Sequence, residues 1–126
     1  MNDKLEFKKK MELRTRKFAV SVFKFIESLG HSQSAKVIGY QLGKSASSIG
    51  ANYREANRSE SKEDFTHKIS IVLKESSETL YWLEIIKELG YGDDNLAKLK
   101  VECEELLKLM QTINRRLRTK NRPLEH

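Results

Sequence analysis

The sequence predicts an all-α protein folded as an up-down-up-down antiparallel four-helix bundle. In four segments, inward-type residues recur every three or four positions, which is the spacing of one face of a helix. No segment shows the sustained apolar–polar alternation of a half-buried strand. The 126 residues, about one domain's worth of chain, include only one proline and six glycines, too few for a turn-rich β sandwich.

The first two helical segments meet at Gly30. The first runs from about Lys8 to Leu29, and Gly30 is a good C-cap because glycine enters the left-handed conformation without penalty. The second begins near Ser34, and its small residues at 45–51 indicate close packing against another helix, within the chain or between chains. The predicted inward faces contain Met11, Thr15, Phe18, Val22, Phe25 and Leu29, then Ala35, Ile38, Leu42, Ser45, Ile49, Asn52 and Ala56.

The third and fourth segments have clearer starts. Ser61 and Asp64 have the spacing of a capping box, and Gly90 ends the third segment. The fourth follows three good N-cap residues at 93–95 and reaches about Leu117, with alternating spacings of three and four that are typical of nearly antiparallel packing. Their inward faces contain Phe65, Ile69, Val72, Ser76, Thr79, Leu83 and Ile86, then Leu96, Leu99, Cys103, Leu106, Met110, Ile113 and Leu117.

We expect three parts in the chain: a basic N-terminal leader (1–10), the bundle domain (11–117) and a basic, disordered tail (118–126). The last three residues of the tail resemble an expression tag. The net charge of +6 is unevenly distributed. Residues 1–29 carry eight basic and four acidic side chains, residues 111–126 carry five and one, and the middle of the chain carries 11 and 13. The excess positive charge is therefore terminal.

The predicted topology places this positive charge at one end of the bundle. In an up-down-up-down bundle the start of helix 1, the turn between helices 2 and 3 and the end of helix 4 lie at one pole. Both basic termini then meet there, together with basic residues of the turn. The candidate contacts to nucleic-acid phosphates are Arg54, Arg58, Lys62, Arg115, Arg116 and Arg118. The alternative is that the charged termini are simply solvated and keep the protein soluble.

The third segment is apolar on more than its inward face. Tyr81 and Ile85 lie four residues apart on roughly the opposite face, and Trp82 lies on the flank. Because clustered exposed aromatic residues mark contact surfaces, we expect Tyr81, Trp82 and Ile85 to form a subunit interface. The alternative is that Trp82 only fills the edge of the bundle while Tyr81 points its hydroxyl to water.

The sequence contains no convincing catalytic or metal-binding set. Residues 39–45 (GYQLGKS) have three residues between their glycines, where a phosphate-binding loop needs four, and they lie in a helical pattern. Asp64 and His67 have the spacing of half a di-metal site, but a second pair is missing. Cys103 occupies an inward position and is expected to be an inert thiol. We therefore expect a protein that is not an enzyme and needs no cofactor or metal.

Cysteine content and hydropathy indicate the compartment. The single cysteine excludes an intrachain disulfide. No apolar run approaches the roughly 20 residues that a membrane span needs, and the N-terminus is charged rather than signal-like. We expect a cytoplasmic protein without a membrane segment.

The middle of the chain resembles a known family. The resemblance lies in residues 50–56 (GANYREA), 60–62 (ESK), 64–65 (DF), 73–75 (LKE) and 78–83 (ETLYWL). At these residues the chain strongly resembles the 23S rRNA-intervening-sequence protein family of bacterial four-helix bundles. The resemblance covers roughly 11–117. Members are encoded within intervening sequences of some bacterial 23S rRNA genes and elsewhere as free-standing genes. The resemblance implies a ring-like homopentamer with a connection to RNA or DNA, as in the similar accessory variability protein of diversity-generating retroelements. It implies no catalytic residue.

The expected function is that of a non-enzymatic homo-oligomer that binds nucleic acid, with structured RNA as one candidate, through the basic residues at one pole. Several copies would bring several poles together, and many weak phosphate contacts add up to useful affinity. The alternative is an adaptor or scaffold oligomer that binds a protein partner.

Overall fold

The computed structural model of the chain describes residues 2–121, with side chains up to Thr119. The described part consists of four helices and one short 3₁₀ turn, and the predicted all-α four-helix bundle is confirmed. Helices that follow each other in sequence pack against each other, and the first helix also contacts the last. The elements are α1 (Asp3–Ile26), the 3₁₀ turn (Glu27–Leu29), α2 (Gln33–Ala56), α3 (Lys62–Leu89) and α4 (Asn95–Asn121).

Side-chain caps define where the helices begin. The Asn2 side chain accepts a hydrogen bond from the Lys4 amide, so α1 starts five residues earlier than the spacing predicts. Ser32 and Ser61 cap α2 and α3 in the same way, each accepting from an amide three residues further along. At the end of α3, Gly90 adopts the left-handed conformation (φ 74°) that only glycine enters cheaply.

Both terminal helices are longer than the sequence pattern indicates. Residues 3–10, expected to be a leader, form the first turns of α1, and α4 continues to Asn121 instead of ending near Leu117. Lys, Glu and Leu have high helix propensity, and they make up six of the eight residues at 3–10. The tail residues 122–126 lie outside the described residues. Within the described part of the chain, no helix is both long and apolar enough to cross a membrane.

The core contains nearly all of the predicted inward residues. α2 differs in its last turns, where Tyr53 is buried and Asn52 is only half-buried. Asn52 instead donates its side-chain N–H to the Ser48 carbonyl within its own helix (2.8 Å). Phe65, Ile113 and Leu117 are also half-buried, because they belong to the pole where the helix ends leave the core open.

Small and weakly polar side chains close the seams between the helices. The Thr79 hydroxyl of α3 donates to Ser45 Oγ of α2 (2.9 Å), and Cys103 Sγ of α4 donates to the Ser76 carbonyl of α3 (3.4 Å). Because each of these buried polar groups has a partner, it can lie in the core without a large desolvation penalty.

Glycines of α2 allow close approach of α1. A Cβ added to Gly50 would lie 3.0 Å from Thr15 Oγ1, and one added to Gly43 would lie 2.9 Å from Phe23 Cε1. A larger side chain at Gly50 would force the two helices to shift. One at Gly43 would meet the exposed end of the Phe23 ring, which can rotate away. The small residues near 45–51 therefore pack, at least in part, against a helix of the same chain.

Candidate nucleic-acid interface

Four chain segments meet at one pole of the bundle, as the topology predicts. The Lys8 ammonium of α1 lies 5.7 Å from the centre of the Phe65 ring at the start of α3, within the range of a cation–π contact. Asn57, directly after α2, donates its side-chain N–H to Glu12 Oε2 of α1 (2.9 Å). The start of α1 is therefore held against the turn between α2 and α3.

An open groove of about 720 Å³, the pole groove, lies between the first turns of α1 and the last turns of α4. Its apolar lining includes the two phenylalanines Phe7 and Phe65 and two aliphatic residues of α4. Four cations and a single carboxylate surround this surface. The groove is lined by Asp3, Lys4, Phe7, Lys8, Tyr53, Phe65, Ile113, Arg115, Arg116, Leu117 and Thr119.

Three of the predicted phosphate contacts lie at or beside this groove. Arg115 and Arg116 line it and are exposed. Lys62 borders an adjoining hollow, to which Lys8 and Leu117 also contribute. The end of α4 and the start of α3 thus bring residues more than 50 positions apart in sequence to one surface.

The other three predicted contacts are arranged differently. The Arg58 guanidinium donates to the Arg54 carbonyl (3.1 Å) and lies 3.8 Å from Glu12 Oε1, so it is partly engaged. Arg54 lines a shallow hollow between α1 and α2, beside Arg16. Arg118 is exposed on α4 but does not line the pole groove.

The sequence interpretation missed the contribution of α1 to the groove. The sequence predicts a leader over residues 1–10 that lies outside the bundle, yet Lys4, Phe7 and Lys8 form one wall of the groove. Phe7 keeps 42% of its surface exposed beside these cations. The available signal was an aromatic residue directly before the basic run at 8–10.

A second groove, the side groove, runs between α1 and α4 and has a volume of about 640 Å³. Arg14 spans it with a bidentate bond to Glu102 (2.7 Å for each N–O pair) and a further bond to Glu105 (3.0 Å). These bonds to the carboxylates raise the pKa of Arg14 further above its usual value. The groove is lined by Lys10, Leu13, Arg14, Lys17, Phe18, Ser21, Lys24, Phe25, Asn95, Lys98, Leu99 and Glu102.

The predicted interface residues lie on the outer side of α3. Tyr81 is 54% exposed and makes an edge-to-face contact with Trp82 at 5.2 Å between ring centres. Trp82 and Ile85 are half-buried against the core, and the buried Trp82 Nε1–H has no hydrogen-bond acceptor among the described residues. This surface combines an exposed aromatic ring with an unsatisfied donor.

The buried thiol is unsuited to nucleophilic chemistry. Burial, followed by the charges of Glu104, Glu102 and Glu84, raises the pKa of Cys103 to about 12. The reactive thiolate is therefore scarce at neutral pH. In residues 2–119, no three His, Cys, Asp or Glu side chains come together in a way that could hold a metal ion.

A family model described as the 23S rRNA-intervening sequence protein matches residues 8–112, which is most of the chain. This chain belongs to the 23S rRNA-intervening sequence protein family. The resemblance drawn from residues 50–83 is thereby confirmed. The match includes every residue that lines the side groove, but of the pole groove it includes only Lys8, Tyr53 and Phe65.

A solved structure supports the same assignment. The crystal structure of a protein of unknown function from the S23 ribosomal protein family of Bacteroides thetaiotaomicron is similar to this chain, with a TM-score of 0.77 and 31% sequence identity. The alignment covers 86% of this chain and 97% of that protein. No curated protein matches the chain.

Proposed function

We propose that this protein binds nucleic acid at the pole groove, with unpaired segments of RNA as its preferred ligand. It acts without catalysis, in the cytoplasm, as a homo-oligomer whose copies each contribute one groove. The observation that carries the proposal is the arrangement of Lys4, Lys8, Arg115 and Arg116 around an open apolar groove that contains the half-exposed Phe7.

Charge and aromatic surface are the two requirements for binding an unpaired strand. Cations neutralise the phosphates, and bases stack on aromatic faces with little sequence preference. None of the four groove cations has a carboxylate of the described chain within ion-pair distance, so all are available to phosphate. Phe7 offers an aromatic face where an unstacked base of an RNA loop could pack.

The family description names an intervening sequence of 23S rRNA, and on that association we take RNA as the ligand class to test first. The homopentamer implied by the family resemblance would multiply a weak site. Five grooves on one particle bind a long RNA more tightly than one groove, since each contact raises the effective concentration for the next. Sedimentation tests this part of the proposal, and a monomer at micromolar concentration would refute it.

The binding proposal is tested by fluorescence anisotropy with a labelled single-stranded RNA, a DNA of the same sequence and an RNA duplex. With four phosphate contacts to a single strand, affinity should fall about 50-fold between 50 and 200 mM salt. The single-stranded RNA should bind more tightly than the duplex, because only unpaired bases can stack on Phe7. Absence of binding at low salt would overturn the proposal.

A matched pair of variants assigns the binding to the groove. Lys8→Ala with Arg116→Ala removes two groove cations, and the slope of log affinity against log salt should decrease by about 1.4. Lys36→Ala with Lys87→Ala removes the same charge at the opposite pole from exposed positions and should change neither affinity nor slope. Equal losses in the two variants would mean that only net charge matters.

A protein adaptor is the second candidate, and a separate observation favours it. Val20, Phe23, Val37 and Tyr40 are each about half or more exposed, on α1 and α2. Exposed apolar side chains in such numbers are typical of protein contact surfaces. Recovery of one specific protein from nuclease-treated extract, lost on Phe23→Ser with Tyr40→Ser, would favour this function over RNA binding.

A further inference from the structure

The side groove contains a straight row of cations that the predicted pole site does not include. Lys10, Lys17 and Lys24 recur every seven residues along α1, and Lys98 lies across the groove on α4. A seven-residue interval on a helix is about 10.5 Å, so the row on α1 spans about 21 Å. Seven residues is close to two helical turns, which keeps all three ammonium groups on one side of α1.

These lysines are not neutralised by the protein. Glu102 is the one carboxylate that lines the groove, and its two oxygens both accept hydrogen bonds from Arg14. Glu105 is also held by Arg14. Within the described chain, none of Lys10, Lys17, Lys24 and Lys98 has an ion-pair partner. The groove therefore presents four free positive charges to solvent.

The row continues from the pole groove. Phe7 lines the pole groove and Lys10, one helical turn further along α1, lines the side groove, so the two grooves adjoin on the same face of α1. At the far end, Asp93 and Asp94 directly precede α4 and limit the positive surface. The result is a basic path that starts at the pole and follows the α1–α4 seam.

We propose that an unpaired nucleic-acid strand bound at the pole groove continues along the side groove, with its phosphates on Lys10, Lys17, Lys24 and Lys98. A single strand is flexible enough to follow a straight row, whereas each strand of a duplex winds away from it. The phosphate backbone, and not the bases, makes these contacts, so they carry no sequence preference. This inference rests on the proposed function, and it adds a second, length-dependent half to the site.

The test compares short and long oligouridylates, of about 5 and 15 nucleotides, which span the usual range of single-strand site sizes. The short RNA should reach only the pole groove and the long RNA both grooves. Lys17→Ala with Lys24→Ala should therefore leave binding of the short RNA unchanged and weaken the long RNA about tenfold near 50 mM salt. For the long RNA the salt slope should decrease by about 1.4, the value for two lost phosphate contacts.

The controls separate this inference from the pole site. Lys8→Ala with Arg116→Ala should weaken both RNAs, and Lys36→Ala with Lys87→Ala should weaken neither. All of the substituted lysines except Lys8 are exposed, and thermal melting checks that each variant keeps its fold. If the side-groove variant binds both RNAs as wild type does, or loses both equally, the path is refuted while the pole site stands. If wild-type protein binds neither RNA, the proposed function itself fails.

Discussion

Three of the four seams between neighbouring helices are closely packed along most of their length and are called closed here, whereas the fourth is open. α1 meets α2 across glycines, with Thr15 against Gly50, and buried pairs such as Thr79 with Ser45 join α2 to α3. At the α3–α4 seam, Cys103 Sγ donates a hydrogen bond to a backbone carbonyl of α3. Across the α1–α4 seam, by contrast, Arg14 reaches Glu102 over a groove of about 640 Å³.

The difference follows from the size of the side chains. Small residues bring helix backbones close together and exclude water, whereas long polar side chains hold helices apart and stay partly solvated. Both grooves of the candidate site touch α1 and α4, the two helices at the open seam. The closed seams thus supply stability, while the open seam leaves an accessible surface.

The largest expected effect comes from forcing the α1–α2 seam apart. Gly50→Leu would add a Cβ 3.0 Å from Thr15 Oγ1 and 3.3 Å from Thr15 Cβ, and the Thr15 Cβ cannot rotate away because it is fixed to the backbone. Overpacking of this kind costs about 2–3 kcal/mol, which exceeds the gain in helix propensity from removing glycine. Urea denaturation measures the loss in free energy of unfolding.

The neighbouring Ala51→Leu is the matched control for this substitution. Ala51 is exposed on the same turn of α2, so the added side chain should change stability by no more than about 0.5 kcal/mol. Equal stabilities of the Gly50→Leu and Ala51→Leu proteins would show that the seam is not closed by glycine.

A smaller effect is expected in the pH dependence of stability, which tests whether water is excluded from the α3–α4 seam. Burial raises the pKa of Cys103 from 9.0 to about 12, so between these values the unfolded chain releases a proton that the native protein keeps. Stability must then fall as pH rises through this window, by up to about 1.4 kcal/mol per pH unit. Because lysines and tyrosines also titrate there, the quantity to measure is the stability difference between wild type and Cys103→Ala.

That difference should shrink by roughly 1 kcal/mol between pH 8 and pH 10, in favour of the alanine variant. The native thiol should also resist Ellman's reagent at pH 8 and react fully in denaturant. A constant difference across this pH range, or rapid labelling of the native protein, would show that water reaches Cys103.

The smallest effect belongs to the open seam. Arg14→Met removes the bridge to Glu102 and Glu105, and because these groups are partly solvated the loss should be no more than about 1 kcal/mol. The loss should decrease further at high salt, where surface charges are screened. Arg16→Met is the matched control, because Arg16 lies on the exposed side of α1 and has no ion pair in the described chain. This substitution should leave the free energy of unfolding unchanged. Identical stabilities of the Arg14→Met and Arg16→Met proteins at low salt would contradict the bridge.

Local patterns in the sequence predicted most of the fold. Spacings such as Leu99–Cys103–Leu106 identify a buried helix face without knowledge of the partner helix, because burial on a helix follows its own period. The capping interaction of Ser61 with Asp64 was equally readable, since it depends on residues three apart. The positions of Arg115 and Arg116 at the pole groove followed from topology alone.

The sequence by itself therefore determined four amphipathic helices and their order, because each depends on contacts close along the chain. The short loops between them imply an up-down-up-down topology, and that topology sets the pole at which the basic termini meet. Only the tertiary structure decided which seam stays open and that Phe7 and Lys8 form a wall of the pole groove. It also decided that Arg14 forms an ion pair with Glu102, while Lys17 and Lys24 have no ion-pair partner in the described chain. These outcomes depend on distances between helices far apart in sequence. Such distances are set by the packed volumes of both partners, which no single helix pattern contains.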